Sequence, residues 1–433
     1  MNPKPGDIVE VITMEKKVKG ILMPKPELFG EDTIVLKLDN GYNIGIDRKK
    51  IKEIRVIEQY KEKKDAKDKA KPNKKLPAVS ILHTGGTIAS KVDYRTGAVV
   101  SRFTPEDMLD MFPELNKIAN IRSRLVFQMF SEDMEPEHWQ ALAKEVEKEL
   151  KEGTEGVIIT HGTDTMHYTS AALSFMLQNL PIPVLLVGAQ RSSDRGSSDA
   201  AINLIAATRF ITQTDFSGVA ICMHGTSEDK CCYIHQGTKV RKLHTSRRDA
   251  FRSVNVFPYA KVFDDGKIEF IRTDYAKKDK KKRLELKNSL EKKVALIKIH
   301  PGIDCKELEN YANYKGIVLE GTGLGHLPVT ALDDVTKSHK ENLETIRRLA
   351  KKIPVIMASQ TIYGQVNMNV YSTGRDILAA GVVSGGDMLP ETAFVKLAWA
   401  LGQSKNIEEA KKLMQQNIAG EMAERIDERA FLY

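Results

Sequence analysis

Apolar and polar positions change rhythm once near the start of the chain. From Gly6 to Ile57, β-branched residues alternate with charged ones in short runs: Ile8 to Thr13, Val18 to Met23, Thr33 to Leu38, Tyr42 to Ile46 and Ile51 to Ile57. A period of two places successive side chains on opposite faces of a strand. Asp39-Asn40-Gly41 supplies residues that tolerate positive φ at a hairpin turn. So many short strands in about fifty residues predict a small closed or nearly closed β-barrel. Beyond Pro77 the pattern becomes continuous apolar runs separated by helical spacing. Strands are predicted at Val79 to His83, Val157 to Thr160, Val184 to Val187, Val219 to Met223, Val294 to His300, Gly316 to Leu319 and Val355 to Ala358. Helices between them include Pro136 to Leu150, closed by Gly153, and Lys340 to Lys351, where Leu343, Ile346 and Ala350 share a face. Thr104-Pro-Glu-Asp107 has the form of a helix start, with Pro at the first helical position. Strand alternating with helix implies a parallel-sheet α/β architecture.

Two lysine-rich runs divide this pattern. The expected organisation is a β-barrel domain over 1–58, a charged linker over 59–76, a large α/β lobe over 77–274, a basic interlobe linker over 275–290 and a smaller α/β lobe over 291–433. With 433 residues, 41% hydrophobic and 29% charged, the chain has the composition of a soluble globular protein. No apolar run approaches the roughly 20 residues of a membrane-spanning helix, and the first residues lack the apolar core of a signal peptide, so a cytoplasmic location is expected. The net charge of +8 favours polyanions such as tRNA, although runs like Lys277 to Arg283 are more often solvated faces. Cys222, Cys231, Cys232 and Cys305 show neither a disulfide framework nor zinc spacing. Reduced thiols and no bound metal are expected.

Candidate chemistry lies at the strand ends. Val79-Ser-Ile-Leu-His-Thr-Gly-Gly-Thr-Ile-Ala89 and Val157-Ile-Ile-Thr-His-Gly-Thr-Asp-Thr165 each end an apolar strand in a glycine turn carrying threonine hydroxyls. Ligands of open α/β sheets bind outside the carboxyl ends of strands. A threonine hydroxyl becomes a nucleophile only with a base beside it. Asp164 adjoins Thr163, and the loop Gly237 to Phe251 offers Lys242, with Lys239 and Arg241 as neighbouring cations. Taken singly, each motif also reads as a helix cap or surface charge; a site requires them to converge.

These segments, with Gly188-Ala-Gln-Arg191, Lys242-Leu-His-Thr-Ser-Arg-Arg-Asp-Ala-Phe251, Ser359-Gln360 and Thr373-Gly-Arg-Asp376, resemble the signatures of the bacterial-type L-asparaginase/glutaminase family. The resemblance implies Thr87 as nucleophile and Thr163, Asp164 and Lys242 as a second catalytic group. It places Tyr94 over the site to assist the first threonine, and Ser131 and Glu132 at the α-carboxylate and α-amino groups of the substrate. Tyr94 could instead cover an apolar surface, and Ser131 could cap the helix at Pro136. Which threonine forms the covalent bond stays open. The barrel and lysine-rich linker ahead of this region resemble the D-subunit family of archaeal glutamyl-tRNA(Gln) amidotransferases. That implies glutamine as substrate, an E-subunit partner carrying ATP and Mg, tRNA(Gln) reached through the complex, and a homodimer core within a heterotetramer. A free-standing L-asparaginase is the competing reading. A nucleotide- or RNA-binding module is a third, weakened because Thr84-Gly-Gly-Thr87 lacks the lysine of a phosphate loop and aromatic content is 6%.

Overall fold

The computed structural model describes residues 3–4, 6–22, 33–38, 43–59, 73, 75–86, 91–92, 99–100, 112, 114–191 and 198–432. The Asp39-Asn40-Gly41 turn, the Thr104 helix start, most of the 59–76 run, Thr87 and Tyr94 lie outside these residues.

The amino-terminal region is all β. Strands Ile8–Thr13, Lys17–Leu22, Thr33–Lys37, Asn43–Asp47 and Ile51–Glu58 form one antiparallel sheet, with the last strand paired to the first. Val9, Val11, Ile34, Leu36 and Ile46 supply its small core, as the two-residue period requires. Among the described residues, Asn43–Asp47 and Ile51–Glu58 remain the two sheet edges.

The large lobe is built on a mixed sheet rather than a purely parallel one. Its parallel part runs Asn120–Met129, Ala78–Gly85, Gly156–Thr160, Pro183–Val187, Phe216–His224. Antiparallel strands Cys231–Gln236, Ala260–Phe263 and Ile268–Phe270 then extend it. The middle strands are buried on both faces, which explains their unbroken apolar runs. The Pro136–Lys151 helix lays Trp139, Leu142, Ala143 and Val146 on the sheet. It ends ahead of Gly153, whose φ of +80° suits a glycine past a helix end. The smaller lobe is a four-stranded parallel sheet, Val294–Lys298, Gly316–Gly321, Val355–Ser359 and Val383–Ser384.

The 275–290 stretch, expected as a linker, is tied to the large lobe at both ends. Ala276–Lys277 pairs with Phe216 and Ser217, and Glu285–Leu286 pairs with Leu177–Gln178. The lobes also share one hydrophobic core, in which Leu173, Phe175 and Leu186 meet Val318, Ile356 and Trp399. Phe175 and Trp399 stack with ring centres 5.8 Å apart.

Candidate active site

Two adjacent parallel strands, Ala78–Gly85 and Gly156–Thr160, bring the two threonine motifs to one rim. Thr84 is buried and its hydroxyl donates to the Thr160 carbonyl (2.9 Å), so this threonine ties the motifs together. The glycines set how closely they approach. A Cβ on Gly86, which has φ +78°, would fall 2.4 Å from Gly162 N. A Cβ on Gly162 would lie 2.8 Å from Ser131 Cβ, and one on Gly188 would lie 2.8 Å from Thr163 Cγ2. At Gly86 the added atom would meet backbone, and the residue also needs a conformation that side chains disfavour; at Gly162 and Gly188 it would meet the packed side chains of Ser131, Met166 and Thr163.

Thr163, Asp164 and Lys242 converge. Lys242 Nζ donates to Thr163 Oγ1 (2.9 Å) and to Asp164 Oδ1 (2.7 Å). Thr163 is buried, the Lys242 side chain is 9% exposed and that of Asp164 is 66% exposed, so the trio runs from interior to solvent. Lys242 ends the Val240–Lys242 strand, which forms a hairpin with Phe251–Ser253. Its neighbours turn elsewhere: Lys239 is buried against Asp387, and Arg241 pairs with Glu391 at 2.7 Å. Of the three candidate cations in this loop, Lys242 alone reaches Thr163.

Ser131 is buried in a short 3-10 turn beside Gly162, and its carbonyl accepts from Thr165 Oγ1 (2.5 Å). The helix at Pro136 is instead capped by Glu135 and His138 in a reciprocal box, and Thr165 makes no capping bond to the Met166–Met176 helix. The cap reading of Ser131 therefore gives way to a contact between motifs. Glu132 is exposed, with Oε2 3.5 Å from Ser131 Oγ. Thr87 and Tyr94 lie outside the described residues.

Buried groups with no obvious sequence signal brace this rim. His161 Nδ1 donates to the Gly162 carbonyl (2.6 Å) while Nε2 accepts from Thr169 Oγ1 (2.8 Å), which fixes the tautomer. Burial lowers its pKa to about 4, so it stays neutral. His83 bridges Thr160 Oγ1 (2.9 Å) and Ser123 Oγ (2.7 Å), and burial likewise lowers it to about 4. Asp199 accepts the backbone N–H groups of Gln190 and Arg191, and Asn203 bonds both Asp199 and the Gly188 carbonyl. This network shapes the Gly188 to Arg191 turn. Its only sequence trace is Asp199 and Asn203 four apart on one helix face. The Cys231 to His235 segment is a strand whose polar groups turn to protein partners, Cys232 Sγ to Asn203 and His235 Nδ1 to Ser253. Among the described residues no cluster is arranged to hold a metal ion.

Comparison with known proteins agrees in kind with this architecture. Three family profiles match: "Asparaginase, N-terminal" over residues 78–276, "Glutaminase/Asparaginase C-terminal domain" over 293–414, and "GatD N-terminal domain" over 3–57. The chain is 52% identical to the D subunit of glutamyl-tRNA(Gln) amidotransferase from Pyrococcus furiosus, covering 99% of this chain and 97% of that one. It is 48% identical to the protein of the same name from Methanococcus maripaludis strain C7, covering 98% and 99%. Among solved structures it superposes on the thermostable L-asparaginase from Thermococcus kodakarensis with a TM-score of 0.71 at 34% identity, covering 80% of this chain and 99% of that chain.

Proposed function

This chain belongs to the D-subunit family of glutamyl-tRNA(Gln) amidotransferases, and from that premise we propose that its cleft is a glutaminase that supplies ammonia for amidation of tRNA-bound glutamate. The amidohydrolase activity rests on the asparaginase fold together with relatives that match end to end. One observation supports the choice of residues above all: a single amine, Lys242 Nζ, bonds both the Thr163 hydroxyl and the Asp164 carboxylate at the carboxyl rim of the sheet.

In the proposed reaction Thr87 attacks the side-chain carboxamide carbon of glutamine, and Tyr94 takes part in removing its proton. Backbone N–H groups of the glycine turns stabilise the oxyanion. The carbon–nitrogen bond breaks, the nitrogen takes up a proton and ammonia leaves the acyl ester. Water then attacks the ester carbon, its proton passes through Thr163 and Lys242, and glutamate departs as the Thr87 hydroxyl is restored. Asp164 holds Lys242 in place. Ser131 and Glu132 contact the substrate's α-carboxylate and α-amino groups. Mapping the peptide labelled by an electrophilic glutamine analogue distinguishes Thr87 from Thr163 as the acylated residue.

No metal or organic cofactor takes part in these steps. The partner is an E-type subunit that uses ATP and Mg to activate tRNA-bound glutamate, and it joins a homodimer of this chain in a cytoplasmic heterotetramer. No helix among the described residues is long and apolar enough to cross a membrane. The test is ammonia release from glutamine and from asparagine, with and without the E-type partner and Glu-tRNA(Gln). Glutamine turnover raised by partner and charged tRNA supports the reading. Fast asparagine turnover indifferent to both would make the chain a free-standing L-asparaginase with an added amino-terminal domain.

A further inference from the structure

The segment leading into Lys242 is held from the opposite lobe. Lys239 Nζ, fully buried, donates to the carboxylate and the carbonyl of Asp387, whose other oxygen accepts the N–H of Ala423. Two residues on, Arg241 Nη2 meets Glu391 Oε1 at 2.7 Å at the start of the Pro390–Gln403 helix. Thr392, next along that helix, donates its hydroxyl to the Thr238 carbonyl (3.0 Å). The strand geometry explains the division of labour. Successive side chains of an extended segment point to opposite sides, so Arg241 grips the smaller lobe while Lys242 turns to Thr163 and Asp164.

We propose that Arg241 is a positioning residue, and that its pairing with Glu391 uses the smaller lobe to hold Lys242 Nζ between Thr163 and Asp164. The inference rests on the proposed role of Lys242. A salt bridge serving stability alone has no need to sit beside the site cation, whereas a long flexible lysine presented from a three-residue strand needs a fixed base. Glu391 is 6% exposed and its Oε2 has no hydrogen-bond partner among the described residues, so this carboxylate is committed to Arg241. Burial raises its pKa, so it can take up a proton if Arg241 is removed, and the fold is spared a bare buried charge.

The experiment compares Arg241→Met, Arg241→Lys, the apolar pair Arg241→Met/Glu391→Leu, and Lys242→Met in the full chain assembled with its partner. Glutaminase kcat, KM and thermal midpoint are measured for each. Displacing a catalytic group by about 1 Å costs up to about a hundredfold in rate. Arg241→Met is therefore expected to lose about ten- to hundredfold in kcat with KM unchanged, and Arg241→Lys to recover most of it. An apolar pair of similar volume often restores stability lost with a buried ion pair; here it should restore the melting temperature and leave kcat low. Wild-type kcat in folded Arg241→Met, or in the apolar pair, overturns the proposal. Full activity in Lys242→Met would instead overturn the reading of the site on which it stands.

Discussion

Replacing Thr163 by Val takes away one oxygen and keeps the methyl group that packs beside Gly188. Lys242 Nζ loses its acceptor at 2.9 Å but keeps Asp164 Oδ1 at 2.7 Å, so no charge is stranded. A hydrogen bond to a charged donor contributes about 1.5–3 kcal/mol, and a partly exposed one falls at the low end. In a chain of 433 residues a loss of that size moves the melting temperature by about 2–4 °C at most. The effect on the reaction is on a different scale. A residue that relays a proton in the transition state contributes about 10²–10⁴ in rate, equivalent to about 3–5 kcal/mol of barrier. Ammonia release from glutamine, measured beside a thermal melt, separates the two. The expected result is a protein that melts almost normally and turns over at least about a hundredfold more slowly. A folded variant with wild-type kcat refutes the role assigned to Thr163. A variant that loses structure and activity together shows that the hydroxyl serves packing instead.

Three further outcomes follow from the geometry. Gly86→Ala places a Cβ 2.4 Å from the backbone nitrogen of Gly162 at a φ of +78°, and backbone cannot rotate aside; about 1–3 kcal/mol of destabilisation and a large loss of kcat should appear in melting and ammonia assays, and a neutral Gly86→Ala would contradict the close approach of the motifs. Burial lowers four histidines, His83 and His161 to about 4, His167 and His235 to about 3. The unfolded chain protonates them near pH 6.5, so between about pH 6.5 and 4 it holds more protons than the folded chain and stability falls with pH, by up to about 5 kcal/mol per unit if all four act; urea titrations across that range should show the decline, and flat stability would refute it. Hydrogen bonds from Arg247 and then Arg252 hold the Asp249 carboxyl well below the usual range, at the tip of the hairpin that carries Lys242. Its stabilisation is present above pH about 4 and lost as pH falls below that, so Asp249→Asn should destabilise at neutral pH and converge with wild type in acid; an equal deficit at every pH would exclude the charge as the cause.

Local signals in the sequence carried much of this, and their limits are physical. Runs such as Val157 to Thr160 and Val184 to Val187 are apolar because their strands are covered on both faces, so they announce themselves. The strands at Cys231–Gln236 and Ala260–Phe263 do not: they mix polar with apolar residues and owe their state to pairing with neighbours. Asn120–Met129 is similarly obscured, since Arg122 and Arg124 interrupt it at the sheet edge. Thr163 and Asp164 could be picked from a strand–glycine turn–acid pattern. Choosing Lys242 over Lys239 and Arg241 needed the family resemblance, because what separates the three cations is a partner about 80 to 150 residues away. The basic 277–283 run had the composition of a linker, yet it is fastened down by the ladder of Ala276–Lys277 to Phe216–Ser217, by Lys278 bonds to the Asp215 and Ile211 carbonyls, and just beyond it by the ladder of Glu285–Leu286 to Leu177–Gln178.

That fastening limits how the molecule can work. Halves joined through one continuous apolar interior, with the connecting chain laddered to the larger lobe and accepting hydrogen bonds at Lys287 and Ser289 from Trp399 and Gln403 of the smaller, cannot swing apart like a clam shell without opening that interior to water. Glutamine must therefore enter, and glutamate depart, around a stationary frame, so a contact across the seam such as Arg241–Glu391 influences turnover through how it sets the groups at the site and not by parting the halves.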